Sequence, residues 1–594
     1  MRPATRKWLL FLMSLVVLFG ASTRLGPLNA QRKEHHLVLP PLPEHMGASL
    51  LYSPMLALGR APLVDILWIR ATKLKDEGRF FDALQLSQQI CELQPKFASV
   101  WVFQAWNMAY NISVTLKSPE ERWRWVRNGY ELLRDKAIPL NPNNTELYRE
   151  LAWILFHKVG DFMDDWHWYY KLQFALEMED ILGVPPLGFV RPGVERGDFY
   201  RDYDYQSLAD APLKYDELLA EADTASLAEG LRKFGFDTSV PGAYLGLIVS
   251  VGSGEIRIPD TPEHEQEDRR QALLAFMNKP DLAEARVKME KFWRAYRLRN
   301  KVKLDPKRIV TLQKALDVTL DFRLAETHAL YWANLGLEMG TDKRAALDIH
   351  RLNTNRIEFY CLQKMFHRGR LAMSRNARLG EPPLLSPDIR VVPPLFRAFL
   401  NDSKKYLSNE KTEEPISTNF KTGFVGFARS AILRYSELDM RKKAQDLFDY
   451  LRRNVPDPMY ENGLDGFLHQ QVSSDRELNN YRIALARIEA LLRRGLLHYA
   501  YDEDEEAGRY LARARQIYLK YQSGIVSKKR QAFEFSFDEI VEQNVHIVGG
   551  QMYRDSYVRL CQKLGIQPLP EPTGEPKTAD SPGQSAPFQS EPSP

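Results

Sequence analysis

The chain of 594 residues is 44% hydrophobic and 27% charged, with 11% aromatic side chains, which excludes wholesale disorder. Its formal net charge of +4 gives no global field that would draw it to nucleic acid, and no nucleic-acid partner is expected. Three cysteines (Cys91, Cys361, Cys561) lie far apart with no CxxC pair, which argues against both a disulfide framework and a zinc site.

In chain order, Arg2, Arg6 and Lys7 precede the apolar run Trp8–Gly20. At about 1.5 Å per residue that run spans roughly 20 Å as a helix, short of the ~30 Å hydrocarbon core. Two readings of residues 1–30 stay open: an uncleaved anchor, or a signal peptide with Gly20 and Ser22 as the small residues before a cut. The first places the chain in the inner membrane as a single-pass protein with its body in the periplasm. The second releases it into the periplasm. Residues 31–62 hold Pro40, Pro41, Pro43, Pro54 and Pro62 and read as a stiff linker.

Residues 63–180 carry a helix-pair repeat. The first copy starts at Val64, with Ala71 in one helix, Gly78 at the turn, Ala83 in the next helix and Pro95 closing the unit. A second starts at Ala98, with Trp101 and Ala105, then Ser118-Pro119-Glu120-Glu121 as an N-cap and acidic first turn, ending at Ala137 and Pro142. A third starts at Thr145, with Tyr148 and Ala152. Small residues recur because antiparallel helices cross closely there and a larger side chain would separate them. Residues 181–270 break the pattern with Pro185-Pro186, Pro192-Gly193 and Pro241-Gly242, and read as a partly irregular insertion or a small α-rich module. Val251-Gly252-Ser253-Gly254 reads as a flexible turn.

Helical pairs resume over 271–377, with Ala333 and Ala345 at the small positions. Residues 378–420 read as a loop. The segment 421–566 carries C-terminal pairs, marked by Ala444, Phe448, Leu451 and Pro456 and then by Gly495, Ala507 and Ala514. The acidic run Asp502–Glu506 opens a helix, where it favours the positive end of the dipole. The Pro/Ser/Glu-rich stretch 567–594 reads as a disordered tail.

This spacing resembles that of the tetratricopeptide-repeat superfamily. The phrases Val64-Asp65-Ile66-Leu67-Trp68-Ile69-Arg70-Ala71, Trp106-Asn107-Met108-Ala109-Tyr110-Asn111-Ile112-Ser113 and His328-Ala329-Leu330-Tyr331-Trp332-Ala333 are similar to exported or membrane-anchored helical-repeat proteins of planctomycete and verrucomicrobial bacteria. The resemblance implies an all-α fold, an α-solenoid of degenerate TPR-like helix pairs with a partly irregular insertion. It also implies scaffolding rather than catalysis, because such arrays hold partners on a curved surface.

The chain has no GxxxxGK[ST], HExxH or GxSxG motif, so no catalytic site and no cofactor are expected. A polar cluster of His157, Asp161, Asp164, Asp165 and His167 has some metal-like spacing, but it straddles Gly160, where polar residues of a helix turn gather anyway. Seven of the 11 tryptophans fall between 101 and 168. In the family, set positions of each first helix line a concave groove. Carried over, they imply a groove of Trp68, Lys75, Trp106, Tyr110, Arg149, Trp153 and Phe156, with flat anchors and two cations for an acidic group. The same rings are readable as core. A basic stretch, Arg286 to Arg308, reads as a solvated helix face or a footprint for anionic lipid or polymer. The function expected is a membrane-associated scaffold for a protein or peptide partner in the cell envelope. The alternative is an aromatic-groove binder of carbohydrate or polymer in envelope or exopolysaccharide biogenesis.

Overall fold

The computed structural model describes residues 60–183, 202–340, 349–373, 377–380, 382–407, 416–474, 480–524, 532–550, 552 and 554–570, with isolated positions between 13 and 31. Most of the expected anchor, most of the linker, Ala345 and all but the first residues of the tail lie outside them. Among the described residues no helix is long and apolar enough to cross a membrane. The fold is all-α, relieved among those residues by one antiparallel pair, β1 (Arg370–Ala372) with β2 (Leu384–Ser386).

The chain divides into two compact units, Met1–Ile154 with Gly336–His350, and Leu155–Leu335 with Arg351–Pro594. In the first, α1 (Arg60–Asp76) and α2 (Phe80–Leu93) form an antiparallel pair. Helix α3 (Ala98–Trp106) runs on through a π-helical stretch, Asn107–Ile112, and α4 (Pro119–Glu131) through another, Leu132–Ala137. Helix α5 (Thr145–Trp153) packs on both of these neighbours. Caps fix where the helices begin: Ser118 Oγ accepts from Glu121 N–H at 3.2 Å, and Asn144 Oδ1 from Leu147 N–H at 3.3 Å. The small residues named above do sit at closed crossings, since Ala71, Ala83, Ala105 and Ala152 have no exposed surface. Gly129 marks a further crossing, where a Cβ would lie 2.8 Å from the Ala105 carbonyl oxygen.

The second unit contains α6 (His167–Leu182) and then a helical module: α7 (Tyr205–Asp210), α8 (Tyr215–Leu219), α9 (Ala222–Lys233), α10 (Ala243–Ser253) and α11 (Gln266–Met277). The described part of the insertion is thus α-rich. It shares one core with α12 (Ala283–Asn300), in which Leu227, Leu231, Tyr244 and Leu273 meet Phe292 and Trp293. Gly252 and Ser253 belong to α10, and Gly254 ends that helix in the left-handed region at φ +77°, so the expected flexible turn is a helix end. Arginines of the basic stretch serve this packing. Arg294 donates to the Ile181 carbonyl at 3.2 Å and Arg297 to the Asp180 carbonyl at 3.2 Å, supplying donors to the C-terminal turn of α6.

Beyond α13 (Pro306–Leu316), α14 (Ala325–Met339) and α15 (Ile349–Arg368), the expected loop 378–420 contains a helix, α16 (Val392–Leu407). Pro393 and Pro394 occupy its first turn, where no intrahelical N–H is needed, so prolines that suggested a loop are compatible with a helix start. The C-terminal pairs are α17 (Ile416–Glu437) with α18 (Arg441–Asn454), and α20 (Tyr481–Ala500) with α21 (Asp504–Ser523), separated by α19 (Gly463–Ser474). Helices α22 (Phe537–Gly550) and α23 (Arg554–Leu564) close on α20. Ala444, Ala507 and Ala514 are fully buried, and a Cβ on Gly495 would stand 3.2 Å from the Ala507 carbonyl oxygen. The acidic run opens α21, with Asp502 and Asp504 also held by Lys563 at 2.9 and 2.5 Å.

Candidate functional site

The residues expected to line a groove fall into separate local groups. On α1, the half-buried Trp68 packs edge-on to Phe103 with ring centroids 4.9 Å apart, and Lys75 lies over the same ring at 5.9 Å. Trp106 stacks on Tyr110 at 4.5 Å and donates from Nε1 to Glu150 Oε2 at 2.8 Å. Arg149 also pairs with Glu150, through Nε at 2.8 Å. Burial and the Glu150 carboxylate push the Tyr110 phenol far above its ordinary range. Trp153 is half-buried on α5. Phe156 belongs to the second unit, where its buried ring stacks on Tyr360 at 6.1 Å beneath the Lys364 ammonium at 3.7 Å.

The second unit holds a cavity of about 490 Å³. Five elements build it, α6, α15, β2, α20 and α22. The start of α6 supplies His167, Trp168 and Lys171, and the last residue of α15 is Arg368. The β2 strand supplies Leu384 and Leu385, and the first turn of α20 brings Tyr481 and Arg482. Asn480 fixes that turn, because its Oδ1 accepts from the N–H groups of Arg482 at 3.0 Å and Ile483 at 3.2 Å. Leu485, Phe535, Ile540 and Ile547 complete apolar walls, and Glu489 and Glu534 add two carboxyls.

The polar side of the cavity is rich in cations. The turn between α5 and α6 brings Asp161 and Asp164 beside lysines: Lys158 donates to Asp164 Oδ2 at 2.6 Å in a buried pair, and Lys364 lies 3.1 Å from Asp161. Two carboxylates of the polar cluster noted in the sequence therefore each have a lysine. Burial opposes the Asp161 charge, but Lys364 and Arg368 hold its carboxyl below the usual range. Arg368 lies 3.9 Å from Asp161 and over the Phe162 ring at 5.4 Å, and among the described residues nothing accepts a hydrogen bond from it. Arg482 crosses the same ring at 4.1 Å and donates to His167 Nε2 at 3.1 Å, while its other terminal nitrogen is buried with no acceptor among the described residues. Lys171, 8% exposed, donates to the Asp161 carbonyl at 2.5 Å and lies 3.3 Å from His167 Nδ1.

These neighbours set the protonation states. Burial, then Lys171, Arg482 and Arg368, push the His167 pKa down to about 3. Burial, then Arg368, brings Lys171 well below the ordinary lysine range. At the other wall, burial lifts Glu489 to about 7 against the pull of Arg493. Apolar walls beside guanidinium donors have the chemistry to accommodate an anionic group attached to an apolar body. Sequence reasoning reached His167 and Asp161 through their local clustering. It passed over Lys171, Arg368 and Arg482, which no spacing rule connects. No protein-family model matches the chain, and no curated protein matches it.

Proposed function

We propose that the chain is a non-catalytic scaffold built from TPR-like helix pairs, which holds a partner by an acidic group seated in the cavity of its second unit. The observation that carries this reading is the pair Arg368 and Arg482. Arg368 is 12% exposed and Arg482 half-buried, both open onto the cavity, and neither has a carboxylate within hydrogen-bonding distance among the described residues. A guanidinium turned away from water without a hydrogen-bonded carboxylate is costly, so a site that keeps two of them favours a ligand that supplies acceptors. The scaffold side of the reading is supported by consecutive helix packing in the first unit and by fully buried alanines at the repeat positions, as a solenoid requires. The basic-then-apolar N-terminus supports an envelope location with the body exported, by anchor or by cleaved signal.

The test uses fluorescence anisotropy with labelled peptides ending in an aromatic residue, as the free carboxylate or as the amide, against the full chain. The carboxylate peptide binds, the amide binds at least tenfold more weakly, and Arg368→Ala/Arg482→Ala removes the difference. Equal binding of the two peptides, or a preference that survives the double substitution, would sink the proposal.

A further inference from the structure

His167 is placed between two cationic side chains, one at each ring nitrogen. Arg482 can only donate, so Nε2, 3.1 Å away, must be the ring's acceptor. A neutral imidazole then carries its proton on Nδ1, and that N–H points at Lys171 Nζ, 3.3 Å away. An ammonium has no lone pair to accept it. The contact is a hydrogen bond only if Lys171 is the free amine, which accepts from His167 and still donates to the Asp161 carbonyl.

We propose that Lys171 is held as a neutral amine against the Nδ1–H tautomer of His167, and that an anion entering beside Arg368 and Arg482 is bound together with one proton, which goes to Lys171. The inference rests on the anion-binding reading of this cavity. The proton comes from solvent: the amine, one proton and the anion become an ammonium–anion pair. His167 remains neutral but reverses, moving its proton to Nε2 and accepting from the Lys171 ammonium at Nδ1. That reversal breaks the Arg482 contact and leaves Arg482 to turn to the anion.

The surrounding charges agree with an uncharged Lys171. Facing it are Arg368 and Lys364 from α15, Glu326 from α14, and Asp161 from the turn before α6. Lys158 pairs with Asp164, Asp161 is shared between Lys364 at 3.1 Å and Arg368 at 3.9 Å, and Glu326 acts on both Lys171 and Lys364, so cations outnumber carboxylates around Lys171. Glu489 and Glu534 face the cavity from α20 and from the segment before α22.

Calorimetric titration of the full chain with benzenesulfonate, which stays ionised throughout, tests this at pH 8 in buffers of different ionisation heat. About one proton is taken up per anion bound, and the dissociation constant rises about tenfold per pH unit over the linked range. Glu489→Gln keeps this uptake, and Lys171→Met binds the anion without it. Nitrogen NMR of His167 in the unsubstituted protein reads the same event without relying on any variant's folding: the Nδ1–H tautomer without added anion, Nε2–H with it. Binding without proton uptake, uptake that persists in Lys171→Met, or Nε2–H before anion is added would each overturn the inference while leaving the anion site standing. Failure of benzenesulfonate to bind at millimolar concentration would overturn the site as well.

Discussion

At the scale of single residues, charges that hold the fold differ from charges that line the cavity. Lys158 and Asp164 are a buried pair, 5% and 3% exposed. Removing one partner strands the other, so Asp164→Asn is expected to lower stability by about 3–5 kcal/mol in chemical denaturation. Arg368→Ala should behave differently. It removes only the longer of two cation contacts to Asp161 and leaves Lys364 at 3.1 Å, so the melting temperature changes little while benzenesulfonate affinity falls at least tenfold. Glu489 gives a pH signature. Its folded-state pKa lies near 7 against an ordinary value of 4.5, so the folded chain keeps a proton that the unfolded chain has released. Its stabilising contribution is therefore complete below about pH 4.5 and is lost as pH rises through about 7, a change of about 3 kcal/mol. Comparing Glu489→Gln with the unsubstituted chain across that window isolates the effect, because only the unsubstituted chain should show it.

Elements show what the sequence could tell and what it could not. Spacing alone placed Ala71, Ala83, Ala105, Ala152, Ala444 and Ala507 at helix crossings, because a close crossing demands a small residue at a fixed offset. Prolines misled over 378–420, since a proline at a helix start and a proline in a loop look alike until the following turn is seen. Of the cavity's lining, the sequence drew attention only to His167, within a polar cluster set aside as a helix turn, and none of the expected groove residues lies there. His167 and Asp161 lie within one polar turn, whereas Lys171, Arg368 and Arg482 come from three helices that only tertiary packing brings together. The crossings make a prediction of their own. Gly129→Ala would drive a methyl group onto the Ala105 backbone and should cost about 1–3 kcal/mol, read by urea denaturation. Gly508→Ala, where nothing lies within 4 Å of the added carbon, should instead stabilise α21 by up to ~1 kcal/mol.

For the whole molecule, two units are built from the same helix-pair vocabulary but carry different surfaces. In the first, the aromatic side chains expected to bind a partner are engaged with one another and with Glu150. In the second, a cavity combines apolar walls with two guanidinium groups, Arg368 and Arg482, that no carboxylate among the described residues meets at hydrogen-bonding distance. Recognition of negative charge by this cavity is tested by comparing benzenesulfonate with its neutral analogue benzenesulfonamide at pH 7. The account predicts that the full chain binds the sulfonate at least tenfold more tightly and that Arg368→Ala/Arg482→Ala abolishes the difference. Equal affinity for the two, or a preference untouched by the double substitution, would contradict it.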